Sequence, residues 1–170
     1  GLVPILNPST SHYLSSFRTT TFCAQITTLS GGSVYTYKRV SATNFETLAN
    51  NYAGTGTGKD FTPNPESELE FPMNYLDNYN DTYQPTVARP SPEVVTYDGY
   101  GTLVTPFGTY SNVVRIYKFW SVGDYDIDWL VTSPYLGIVA NFHAQSNTYT
   151  LVRPLGTAAV KEVANQETVQ

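Results

Sequence analysis

The chain has 170 residues, a net charge of −5 and a charged share of only 14%, with its nine Lys and Arg scattered. No basic stripe is present to neutralise phosphates and no polybasic segment to meet anionic lipid, so neither nucleic acid nor a membrane surface is an expected partner. No run approaches the roughly 20 apolar residues of a membrane helix, and a chain of this length buries roughly 70% of the surface its unfolded form exposes without a metal or disulfide staple.

Thr, Val, Tyr and Phe are plentiful while the strong helix formers are sparse, which suits a pleated, half-buried surface. The expected fold is all-β: a strongly twisted antiparallel sheet, half-barrel or sandwich, with little helix, in a single β-rich domain over residues 1–170. Residues 1–16 read as an extended N-terminal segment with a turn at Asn7-Pro8-Ser9-Thr10, where a short helical turn is the alternative. Gly1-Leu2-Val3-Pro4 lacks an initiator Met and looks like a mature or trimmed start.

Thr19 to Thr28 and Ser33 to Ser41 are β-rich runs joined by Leu29-Ser30-Gly31-Gly32. In the second run Val34, Thr36, Lys38 and Val40 alternate with Tyr35, Tyr37 and Arg39, which makes one face buried and one wetter, with the assignment open. Cys23, the single cysteine, has no intrachain partner and reads as a small buried core residue on the first run. Asn44 to Tyr52 carries helical spacing at Phe45, Leu48 and Tyr52, yet its surroundings favour strand.

Gly54-Thr55-Gly56-Thr57-Gly58-Lys59 superficially resembles a phosphate loop. Ala53 stands at the first required glycine and Asp60 at the Ser or Thr position, so a plain loop is expected. Glu68 to Met73 and Thr82 to Val87 read as strands around a polar turn at Asp77-Asn78-Tyr79-Asn80-Asp81. Pro85, Pro90 and Pro92 belong to an edge or a connection. The run from Tyr97 to Lys118 reads as two strands about one turn, with Pro106 pre-setting the backbone and Gly108 closing it. Tyr125 to Thr132, Tyr135 to Ala144 and Thr148 to Arg153 follow as meander strands. Gly156 to Val163 adds one more, and residues 165–170 form a polar, frayed tail.

Three patterns bear on chemistry. Asp124, Asp126 and Asp128 alternate, so on a strand they share one face; their repulsion is relieved by solvent, by a cation such as calcium, or by Arg and Lys across the sheet, and a solvated polar face is the simplest outcome. A hand-type calcium loop is excluded, because Trp129 and Tyr135 occupy its required Gly and Glu positions. His12 and His143 are the only imidazoles and lack the company of metal ligands or a nucleophile elbow. The third pattern is the wealth of aromatics, 14 Tyr, 8 Phe and 2 Trp, which pack on sheets and also offer flat faces to ligands. Tyr75, Tyr79, Tyr83, Trp120 and Trp129 are the candidate ligand-binding residues.

The segment Asp98-Gly99-Tyr100-Gly101-Thr102-Leu103-Val104-Thr105-Pro106-Phe107-Gly108-Thr109-Tyr110-Ser111-Asn112-Val113-Val114-Arg115-Ile116 resembles the "DGYGTL-x-x-P-x-GTY-x-NVLRV" hairpin of secreted Bacteroidota proteins of unknown function. The likeness extends to Phe71-Pro72-Met73-Asn74-Tyr75, Tyr79-Asn80-Asp81-Thr82-Tyr83, Asp128-Trp129 and Tyr135-Leu136-Gly137-Ile138-Val139. Those proteins often carry a signal peptide and a type IX secretion sorting domain, so the resemblance implies export to the periplasm or cell surface, an antiparallel β fold and no particular reaction.

The residues therefore favour a non-enzymatic secreted or cell-surface domain without cofactor, binding glycan or another extracellular ligand through aromatic side chains. The alternatives are a secreted hydrolase using Asp124, Asp126 and Asp128, which needs two carboxyl groups roughly 5 to 9.5 Å apart across a cleft, or a structural module of a larger surface protein. Oligomeric state is open.

Overall fold

The structure, a computed structural model, describes residues 5–6, 22–27, 33–53, 58–84, 91–132, 137–151 and 168–169. Among them it is all-β, as expected: thirteen strands in two antiparallel sheets, no helix, and neither sheet closed on itself as a barrel. The expectations at His12, Asn7 to Thr10, Leu29 to Gly32, Gly54 to Thr57 and Gly156 to Val163 fall outside the described residues.

The first sheet runs in the order β1 (Ile5–Leu6), β2 (Phe22–Thr27), β3 (Ser33–Val40), β4 (Asn44–Ala53) and β5 (Lys59–Asp60), with β6 (Glu66–Glu70) also on β4. β5 pairs with Ala49 and Asn50 and β6 with Asn44 to Thr47, so two short strands share one long neighbour. The second sheet contains β7 (Asn78–Tyr83), β8 (Ser91–Thr105), β9 (Gly108–Ser121), β10 (Asp124–Val131), β11 (Gly137–His143), β12 (Thr148–Leu151) and β13 (Thr168–Val169), each beside its sequence neighbour. Such a meander needs only short connections.

The chain divides into two compact units, one built on the first sheet and one holding Met73–Asp81 and the second sheet from Pro92 onward. In the first unit Cys23, Tyr35, Tyr37, Leu48 and Ala49 form a buried cluster, which identifies the Tyr35/Tyr37 side of β3 as a buried face. Lys38, on the opposite side, is buried as well and binds Glu68 and Thr47. A buried ammonium demands such partners. Asn44–Ala53 is strand, and its helix-like spacing has a structural origin: the β3–β4 register slips twice between Tyr35 and Lys38, so the adjacent Leu48 and Ala49 are both buried.

Two boundaries differ from expectation. The polar segment Asn78 to Asp81 is strand β7 rather than a turn, alternating exposed Asn78, Asn80 and Thr82 with half-buried Tyr79, Asp81 and Tyr83. Asn and Asp have poor strand propensity, but β8 supplies the ladder and the polar side chains face water. The turn falls earlier, where Asp77 Oδ2 accepts hydrogen bonds from Asn74 N at 2.7 Å and Asn74 Nδ2 at 3.0 Å. β6 likewise ends at Glu70, ahead of Pro72. At the other end of the chain, Thr168–Val169, within the stretch read as a polar tail, adds two residues to the edge of β12.

The β8–β9 hairpin is as expected but longer, with Pro106 and Phe107 at the turn. Gly108 has φ +147°, a conformation that L side chains rarely adopt. Thr105 Oγ1 closes the turn, accepting from Phe107 N at 3.1 Å and donating to Gly108 O at 3.2 Å.

Candidate functional site

Cross-strand partners lie on one face of a sheet, so the register of the second sheet sorts its side chains. One face carries the row Val95, Lys118, Asp126, His143, Thr148 and the row Tyr97, Ile116, Asp128, Asn141, Thr150. The other carries Gly99, Arg115, Trp129, Ala140 and, beside them, Thr96, Tyr117, Ile127, Phe142, Tyr149. The first face holds apolar and charged groups that are deeply buried, among them Val95, Ile116, Lys118 and Asp128. The second is more open.

On the buried face the three aspartates part company. Asp128 is 3% exposed and faces Lys118 Nζ at 3.6 Å, while Asn141 Nδ2 donates to it at 2.8 Å. Asp126 accepts from the same Asn141 nitrogen at 3.1 Å, and its Oδ1 lies 2.5 Å from Nδ1 of His143. Asp124 stands beyond a register slip against β9. The expectation of a solvated acidic face therefore does not hold at Asp128: its charge is met by a cross-sheet lysine instead of water. Among the described residues no group of three or more His, Cys, Asp or Glu comes together to hold a metal ion.

On the open face a groove of about 240 Å3 is lined by Leu103, Val113, Arg115, Trp129 and the backbone of Gly99, Tyr100 and Gly101. Two glycines on β8 make it, since their missing side chains leave β9 and β10 side chains standing above bare backbone. A Cβ on Gly101 would meet nothing within 4 Å, whereas one on Gly99 would stand 3.1 Å from Arg115 Cβ and Nε. Trp129 forms the wall and packs against the cluster of Val113, Val131 and Val139, which fixes its ring. Tyr100 pairs with Val114 and so contributes backbone to the groove while its side chain, 64% exposed, stands on the other face and donates its hydroxyl proton to Asn112 Oδ1 at 2.7 Å.

Arg115 is the one charged residue of the lining. Its Nε donates to Asp98 Oδ1 at 2.8 Å and its Nη2 to Asp98 Oδ2 at 3.1 Å. This fork–fork pairing is the main reason the guanidinium holds its proton even more firmly than usual, and the phenol of Tyr75 adds to it electrostatically. Tyr75 is exposed, meets Tyr97 edge-on with ring centroids 6.1 Å apart, and precedes Leu76, whose φ of +70° is uncommon for a non-glycine residue. Leu76 N donates to Tyr97 O at 2.8 Å and Tyr97 N to Asp77 O at 3.1 Å, holding that backbone. Beyond the groove the open face continues as an aromatic row: centroid separations are 5.3 Å from Tyr117 to Tyr125, 6.1 Å from Tyr125 to Phe142 and 4.6 Å from Phe142 to Tyr149.

Of the five aromatic residues singled out from sequence, Trp129 lines the groove and Tyr75 approaches its arginine. Tyr79 is half-buried on β7, and Tyr83 packs edge-on against Phe61 in the first unit, centroids 5.5 Å apart. Trp120 occupies the slip between β9 and β10 with its indole nitrogen buried and without a hydrogen-bond partner among the described residues. Asp98 and Arg115 carry no chemical role in the sequence reading. Both lie equally far from the Pro106–Phe107 turn, so an unbroken hairpin register would set them opposite, but the slip between Tyr97 and Gly99 pairs Arg115 with Gly99 instead. No protein-family model, curated protein or solved structure matches this chain.

Proposed function

We propose that this chain is a non-enzymatic, exported domain that binds glycan on the open face of its second sheet, with the groove at Arg115 and Trp129 as the site. The observation that carries the proposal is the joining of a fixed tryptophan wall and a polar Arg115–Asp98 pair over side-chain-free backbone. Sugar rings have apolar C–H faces and polar edges, and a site with a few placed polar groups on an aromatic bed suits both. The volume of about 240 Å3 falls below the roughly 300–1,000 Å3 of pockets for larger ligands, matching one ring of a longer chain whose neighbours extend over the aromatic row. Export rests on the resemblance of the hairpin around Pro106. Burial of Asp128 beside Lys118 weighs against a carboxylate-pair hydrolase.

A glycan array with the purified chain, followed by calorimetry on the hits, tests the proposal. Trp129→Phe should weaken the best hit about tenfold or more, whereas Tyr100→Ala, on the opposite face of β8, should leave it unchanged. Absence of any saturable glycan binding by the folded protein would leave the structural-module alternative in its place.

A further inference from the structure

We infer that the groove selects neutral glycans and rejects uronates and other acidic sugars, with the Asp98–Arg115 ion pair as the determinant. This rests on the glycan-binding proposal and names the ligand class of that same site.

An arginine in an aromatic groove ordinarily marks a site for an anion. Here its charge is already spent. Both oxygens of Asp98 engage the guanidinium across β8 and β9, at 2.8 and 3.1 Å, and Lys118, the nearest other cation along β9, is buried on the opposite face. The groove and its rim are therefore close to electroneutral within a chain of net charge −5. A ligand carboxylate arriving at Arg115 would stand beside the Asp98 carboxylate, and like charges brought together at an interface repel.

The same pair is well made for hydroxyl groups. A guanidinium has five N–H donors, of which the fork to Asp98 uses two, and each carboxylate oxygen keeps a second acceptor site. Donors and acceptors thus lie side by side. A sugar hydroxyl both donates and accepts, so two adjacent hydroxyls can bridge the pair with every partner satisfied. The side chains are 43% and 26% exposed, open enough to be reached.

The test compares matched tetrasaccharides of galactose and galacturonate, and of glucose and glucuronate, by calorimetry at low and high salt. The expected result is that a neutral member binds at least about tenfold more tightly than its acidic counterpart, with an affinity that salt leaves unchanged. Asp98→Asn, which frees the Arg115 charge, should close or reverse that gap. Tighter binding of the acidic member by the native protein overturns the selectivity while leaving glycan binding intact. A folded Asp98→Asn protein with the native preference overturns the role of the pair. Failure of neutral and acidic sugars alike, across the array as well, overturns both this inference and the proposal beneath it.

Discussion

Asp98 and Arg115 grip each other through two parallel hydrogen bonds across the β8–β9 pair, and the guanidinium lies over Gly99, where a Cβ would come within 3.1 Å of Arg115 Cβ and Nε. Residues on the two arms of one hairpin thereby set both the shape and the charge of the groove.

That packing separates two glycines. Gly99→Ala must displace the arginine near its backbone, and is expected to cost about 1 kcal/mol of stability and to weaken ligand binding. Gly101→Ala meets open space, so its stability should stay within about 0.5 kcal/mol of the native value, while its methyl group fills the groove floor and lowers affinity. Urea melts beside calorimetry distinguish the two, and equal stability losses would contradict the geometry.

Lys118 and Asp128, each 4% exposed at the side chain and 3.6 Å apart, form a buried ion pair in the second sheet. Removing one partner leaves the other buried without this counter-charge, and Lys118→Met or Asp128→Leu alone should cost about 3–5 kcal/mol. The double variant should recover much of that loss. Denaturant unfolding of all four proteins completes the cycle, and additive losses would show that the two groups do not sense each other.

Burial pushes the Cys23 thiol from its ordinary 9.0 up to about 12, against a smaller lowering by a hydrogen bond with Tyr37. Below pH 9 folded and unfolded chains both hold the proton and the group is silent. Between 9 and 12 the unfolded chain releases it while the native state retains it, so stability falls as pH rises, by at most about 1.4 kcal/mol per pH unit for this one group. Tyr97 and Tyr117, also raised chiefly by desolvation, act in the same direction. Cys23→Ala should flatten the decline partly, and the native thiol should resist a disulfide reagent at pH 8 until the chain is unfolded.

Trp120 buries an indole N–H without a partner among the described residues. Trp120→Phe removes that unsatisfied donor, which offsets the loss of ring volume. Its melting midpoint should stay close to the native one, corresponding to a change of less than about 1 kcal/mol. A loss of several kcal/mol would mean that the ring, not its nitrogen, dominates the site.

Strand identity was legible wherever β-branched and aromatic residues alternated between turn residues, as in Ser33–Val40, Asp124–Val131 and the hairpin around Pro106. It failed at Asn78 to Asp81, the first part of β7, whose polar outward residues imitate a turn and whose strand character comes from pairing with β8. For the candidate site, Trp129 and Tyr75 could be named from chemistry alone. Asp98 and Arg115 could not, because an ion pair across 17 positions depends on register, and that register is altered by slips between Tyr97 and Gly99 and between Gly101 and Leu103. The fate of the aspartates was hidden for the same reason: which strand faces β10, and with which side, decides whether they meet water or Lys118.

The most direct measurement uses Trp120→Phe, which leaves Trp129 as the single tryptophan of the chain. Titration with the neutral oligosaccharide that binds best on the array should change the Trp129 emission saturably, with the same dissociation constant that calorimetry gives. Binding by calorimetry with an unaltered Trp129 emission would place the glycan elsewhere on the protein and contradict the groove as its site.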